Sequence, residues 1–125
     1  MNNDDAVKLM ERHAAAWNAH DIESLLAIMT DDCIYDAAAG KNSSGDRFVG
    51  HEALRKAFAL IWQNFPDAQW ADAVHSACGD HGFSTWTFRG TRVDGQVVEA
   101  RGLDLLRFRE GRICHKDTFR KNVLA

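Results

Sequence analysis

The chain has 125 residues, 46% of them hydrophobic and 26% charged, with 15 Lys and Arg against 18 Asp and Glu for a net charge of -3. These values sit on the averages of soluble globular domains and exclude disordered, collagenous and coiled-coil chains; a core forms at this length without disulfide staples. The mixed signs leave no basic stripe for nucleic acid, and the short apolar runs and polar start Met1-Asn2-Asn3-Asp4-Asp5 argue against a membrane span or a secretory signal, so a cytoplasmic protein with one domain over residues 1–125 is expected.

Val7, Met10, Ala14 and Trp17 recur at spacings of three and four and predict a helix over residues 4–18, with Asp4 or Asp5 able to cap it. Asp21 precedes Ile22, Leu25, Leu26 and Met29 and marks the start of a second helix ending near Thr30. Residues 33–38 then read as a short strand, and the Gly- and Ser-rich residues 40–46 as a loop able to gate a pocket. Leu54, Phe58, Ile61 and Trp62 give a third helix over 51–64, stopped by Pro66, the single proline. The remaining residues alternate apolar with polar, and Asp94-Gly95 and Glu110-Gly111 mark reversals. Strands are expected near 69–79, 82–93, 96–109 and 112–122, with a bulge at Gly102. The class is α+β: about three N-terminal helices against one face of a curved antiparallel sheet.

Cys33, Cys78 and Cys114 form no Cys-x-x-Cys pair and are odd in number, as free thiols in a reducing compartment would be. The six histidines lack ligand spacing, so no metal is expected.

Four segments resemble the nuclear transport factor 2-like superfamily, which includes ketosteroid isomerases and SnoaL-like polyketide cyclases. They are Trp17-Asn18-Ala19-His20-Asp21-Ile22-Glu23, Thr30-Asp31-Asp32-Cys33-Ile34-Tyr35-Asp36, Phe48-Val49-Gly50-His51-Glu52-Ala53-Leu54 and Arg107-Phe108-Arg109-Glu110-Gly111-Arg112-Ile113. The resemblance implies a cone-shaped barrel enclosing a pocket, and a homodimer. Set against the ketosteroid isomerase pattern, the general base falls on Ala37, the oxyanion tyrosine on His13 and the oxyanion aspartic acid on Asp104. A methyl group takes no proton, which argues against steroid isomerisation by that route.

In the SnoaL-like pattern the working acid and base lie on the last strand. An unbroken register from a two-residue Glu110-Gly111 turn would set Asp117 opposite Asp104 on one sheet face, and a bulge would reverse this by turning Lys116 and Arg120 inward. Asp104 stands among Leu103, Leu105 and Leu106, where burial raises a carboxyl pKa, or where a salt bridge to Arg101, Lys116 or Arg120 would depress it. Two inward acids would share a proton, giving one acid and one base, whereas inward Lys116 and Arg120 would make the site cationic, suited to a carboxylate or enolate. The catalytic candidates are therefore Asp117 as base, His13 in its place if Asp117 faces outward, and Asp104 as proton donor. Trp17, Tyr35, Trp86, Phe88 and Phe119 would hold a planar or polycyclic apolar ligand.

The expected function is isomerisation, aldol cyclisation or dehydration of an apolar carbonyl-bearing metabolite by proton transfer without a cofactor. Non-catalytic ligand binding and protein interaction through the outer sheet face are the competing classes.

Overall fold

The computed structural model describes residues 1–124. Helix α1 (Asn3–Asn18) is capped by Asn2, which accepts from the Asp5 amide while the Asp5 carboxylate accepts from the amide of Asn2. The expected caps, Asp4 and Asp5, lie inside the first turn, where negative charge favours the helix dipole. Its buried stripe is Ala6, Leu9, Met10, His13, Ala16 and Trp17. Asp21 caps α2 (Ile22–Ala27) through the Ser24 amide. The helix stops before Thr30, because Met29 already pairs with Ile113 in strand β1 (Met29–Asp36). A strand pairing made in tertiary structure here overrides a helical pattern. Residues 47–49 form a further short strand, β2 (Arg47–Val49), and α3 (His51–Asn64) follows as expected.

Strands β3 (Gln69–Cys78), β4 (His81–Thr91), β5 (Val97–Arg109) and β6 (Arg112–Arg120) form the expected meander, and the sheet order is β2-β1-β6-β5-β4-β3. One correction concerns sheet type. β1 runs parallel to β6, so the sheet is mixed rather than wholly antiparallel; the long connection between the two strands permits it. The three helices cover one face of this curved sheet in an α+β arrangement. Leu9, Met10, Leu25, Leu54, Phe58, Leu106 and Ile113 pack the main core, and Ala68, Trp86 and Phe88 a second cluster beside it.

The Glu110-Gly111 turn has positive φ at both residues (53° and 75°), the type I′ geometry that suits the twist of a hairpin. From it the register runs Arg109↔Arg112 and Phe108↔Ile113, and then jumps to Arg107↔His115, leaving Cys114 as an inserted residue. The bulge therefore lies at Cys114 and not at Gly102. Its effect is to set Asp104 opposite Thr118 and Asp117 opposite Leu105, which overturns the expected Asp104–Asp117 pair.

Gly102 has a different reason. It pairs regularly with Trp86 and Arg120, and the Trp86 indole lies directly over it: an added Cβ would sit 2.6 Å from Cη2 of Trp86 and 2.4 Å from the Phe119 carbonyl oxygen. Gly102→Ala should therefore lose about 1–3 kcal/mol in urea unfolding, because one contact is with backbone that cannot move aside. Wild-type stability in that variant would refute the close approach.

Candidate functional site

Strand alternation decides which side chains enter the interior. After the bulge, β6 sends Lys116, Thr118 and Arg120 inward, β4 sends Trp86 and Phe88, and β1 sends Tyr35. With Trp17 of α1, Ile61 and Asn64 of α3, Phe65 and Trp70, they line a cavity of about 220 Å³. Its inner end is formed by buried Trp17, Trp86 and Lys116; its mouth by exposed Ala38, Asn64 and Arg120. Of the expected ligand-holding residues, Trp17, Tyr35, Trp86 and Phe88 line it. Phe119 does not: it alternates to the outer face and is half exposed.

Asp104 lies just behind this cavity, 4% exposed. Lys116 Nζ is 2.9 Å from its Oδ1, the Thr118 hydroxyl donates to Oδ1 at 2.6 Å, and Trp86 Nε1 donates to Oδ2 at 3.1 Å. Burial alone would raise this carboxyl, but Lys116, His13 and the hydrogen bonds outweigh it and hold Asp104 below the usual carboxylate range. Of the two states open to this carboxyl from the sequence, the geometry favours the salt bridge with Lys116 over the neutral proton donor. Asp104 is an ionised partner that orients Lys116, and the Lys116 ammonium also sits 4.8 Å from the Trp17 ring centroid.

His13 is 3% exposed, and its Nε2 accepts from Trp17 Nε1 at 3.0 Å. An indole nitrogen only donates, so the Nε2 lone pair is used and the neutral ring carries its proton on Nδ1. Burial first, and Lys116 second, lower its pKa to about 3. With no spare lone pair, His13 is not a base for the cavity. It faces instead a side cavity of about 20 Å³ shared with His75, Ser84, Asp104 and Lys116, room for one water.

Asp117 lies on the outer face in a cluster the sequence reading missed. Asp36, 1% exposed, receives Arg47 on both oxygens (2.8 and 3.0 Å) and His115 Nε2 at 2.8 Å. Ligand atoms of Asp36, His115 and Asp117 all lie within 4.8 Å of one another. Burial and the Asp36 charge raise the Asp117 carboxyl. The sequence offered no signal for it, since the parallel pairing Ile34↔His115 and Asp36↔Asp117 that assembles it is encoded by no local pattern. The cysteines are free, and burial pushes the Cys33 thiol up to about 12, which makes it inert. Among the described residues no helix is long and apolar enough to cross a membrane.

The sequence model of the SnoaL-like domain matches residues 10–116, from the first helix to the cavity lysine. The chain belongs to the SnoaL-like domain family. No curated protein sequence matches it at a significant level. Several solved structures share the SnoaL-like fold. A candidate polyketide cyclase from Xanthomonas campestris pv. campestris is 20% identical, with 98% of this chain and 93% of that chain covered at a TM-score of 0.86. A candidate SnoaL-like polyketide cyclase from Jannaschia sp. CCS1 is 17% identical, with 95% and 87% covered at 0.83. TerC, co-crystallised with polyporic acid, is 18% identical, with 94% and 92% covered at 0.81. At such identities the likeness is one of SnoaL-like fold.

Proposed function

We propose that the chain is a cytoplasmic, single-domain enzyme that binds a small planar carbonyl compound in the interior cavity and enolises it without a cofactor. Enolisation is the step common to isomerisation, aldol cyclisation and dehydration. The observation that carries the reading is Lys116, a buried ammonium held between Asp104 and the Trp17 ring while lining an aromatic cavity. A fixed cation in a dry site stabilises negative charge developing on a carbonyl oxygen far more than it could in water. Tyr35 keeps its proton, since burial raises its phenol, and so stands as a second donor. The similar folds of candidate polyketide cyclases, and of TerC with polyporic acid, support a ring-shaped oxygenated ligand. The same reading includes a homodimer, supported by exposed Val74, Phe83, Leu105 and Phe119 on the outer face.

Non-catalytic binding is favoured by one specific observation: no unengaged carboxylate or imidazole lines the cavity among the described residues. The enzymatic reading therefore requires a substrate acidic enough, with its methylene between two carbonyls, to release its proton to water at the cavity mouth. Deuterium exchange into a cyclic 1,3-diketone, followed by NMR, separates the two. Protein-accelerated exchange is expected, reduced at least tenfold by Tyr35→Phe (about 1.4 kcal/mol of barrier). Tight binding with exchange no faster than in buffer would establish the binder.

A further inference from the structure

Resting on that cavity reading, we propose that the cognate ligand is an acid: a small planar ring compound whose carboxylate docks on Arg120 at the mouth while its carbonyl points inward to Lys116. Several arginines already have acids, Arg47 with Asp36, Arg55 with Glu23, Arg89 with Glu99, Arg92 with Asp94 and Arg109 with Asp32. Arg120 forms no ion pair among the described residues, although it lines the cavity. Its guanidinium lies 5.0 Å from the Phe88 ring centroid, which holds the plane in place and leaves its N–H edge free. That edge matches the two oxygens of a carboxylate.

The charge balance points the same way. Lys116 and Asp104 cancel, and His13 is neutral with a pKa near 3, so the cavity is left with the one positive charge of Arg120. Size then limits the ligand. A volume of about 220 Å³ falls below the ~300–1,000 Å³ of sites for drug-sized ligands, which removes steroids and other large polycycles from consideration. Lys116 and Arg120 are four residues apart on one strand face, ~13 Å between Cα atoms at strand rise. Allowing for both side chains leaning inward, one or two fused rings bridge the two cations. The apolar carbonyl-bearing ligand expected from the sequence thereby gains an anionic end, the alternative weighed there for an inward Lys116 and Arg120.

The test compares 2-naphthoate with 2-acetonaphthone, its uncharged ketone counterpart, by isothermal titration calorimetry. Wild type should bind the acid at least tenfold more tightly. Arg120→Gln should bring the acid down to the affinity of the ketone while changing the ketone less than threefold, and Arg120→Lys should retain part of the preference. Arg101→Gln, on the outer face, should leave both unchanged, and the thermal midpoint of each variant checks that it is folded. Equal affinities on wild type, or a preference that survives Arg120→Gln, would overturn the anion anchor while ketone binding still upheld the cavity. Binding of neither compound would overturn both.

Discussion

Lys116→Met is expected to destabilise the protein by about 3–5 kcal/mol, the range for removing one partner of a buried ion pair. Asp104 would keep its burial and its bonds from Thr118 and Trp86, but lose the cation that opposes its desolvation. The pH dependence identifies the cause. In the wild type, His13 is neutral in the fold and must charge on unfolding, so its contribution is lost as pH falls below the ordinary 6.5. Asp104 has a depressed folded pKa, so its contribution is present above the unfolded 3.8 and lost as pH falls through the folded value. Both make the wild type weaker in acid. Without Lys116, burial drives the Asp104 carboxyl above its unfolded value, and its contribution then declines as pH rises. Urea unfolding should therefore give a gap between wild type and variant that is wide at pH 7.5 and narrower at pH 4.5. Adding Asp104→Leu to the variant should recover most of the loss, since an apolar pair can replace a buried ion pair. A pH-independent gap would mean that packing around the lysine stem, and not charge, is what the substitution removes.

Trp17→Leu is the second large effect, about 3–5 kcal/mol by the cost of deleting a buried aromatic ring. Trp17 meets Phe58 at 4.7 Å, Trp70 at 4.9 Å and Trp62 at 5.1 Å between ring centroids, so its removal opens space that three aromatic neighbours cannot close. Trp17→Phe keeps most of that packing and isolates the N–H, leaving the buried His13 Nε2 without a donor, for about 1–3 kcal/mol. The two variants should also diverge in binding. The leucine variant enlarges the cavity at its inner end and should accept ring ketones that the wild type excludes, measured as a ligand-induced rise in thermal midpoint. Equal losses for the two variants would place the energy in the hydrogen bond rather than the ring.

The legible and illegible parts of this chain separate by the range of the interactions that make them. α3 and the last hairpin could be read because their patterns and stop signals, Pro66 and Glu110-Gly111, are local. The order of elements was legible from short signatures, and it placed the chain in its family's fold. β2 and the parallel β1–β6 pair were not, since three residues at a sheet edge carry no periodicity and their partners are remote in sequence. His13 and Trp17 could be placed together from helical spacing, but the hydrogen bond that occupies Nε2 could not. Asp104 was legible as unusual. Its charge state depended on Lys116, which faces it only because Cys114 is inserted in the register.

That inserted residue also bears on how relatives should be compared. A chain of the same length whose last strand ran without the bulge, its residue 114 paired with residue 107, would present the residues at 117 and 119 to its interior in place of those at 116, 118 and 120. The two chains could be nearly identical over the strand and superpose closely in backbone, yet enclose pockets of opposite charge. A gapless alignment of two such chains would match every column of the strand and still set inward-facing residues against outward-facing ones. Substrate preference among such relatives would then follow the presence or absence of the bulge more closely than percentage identity.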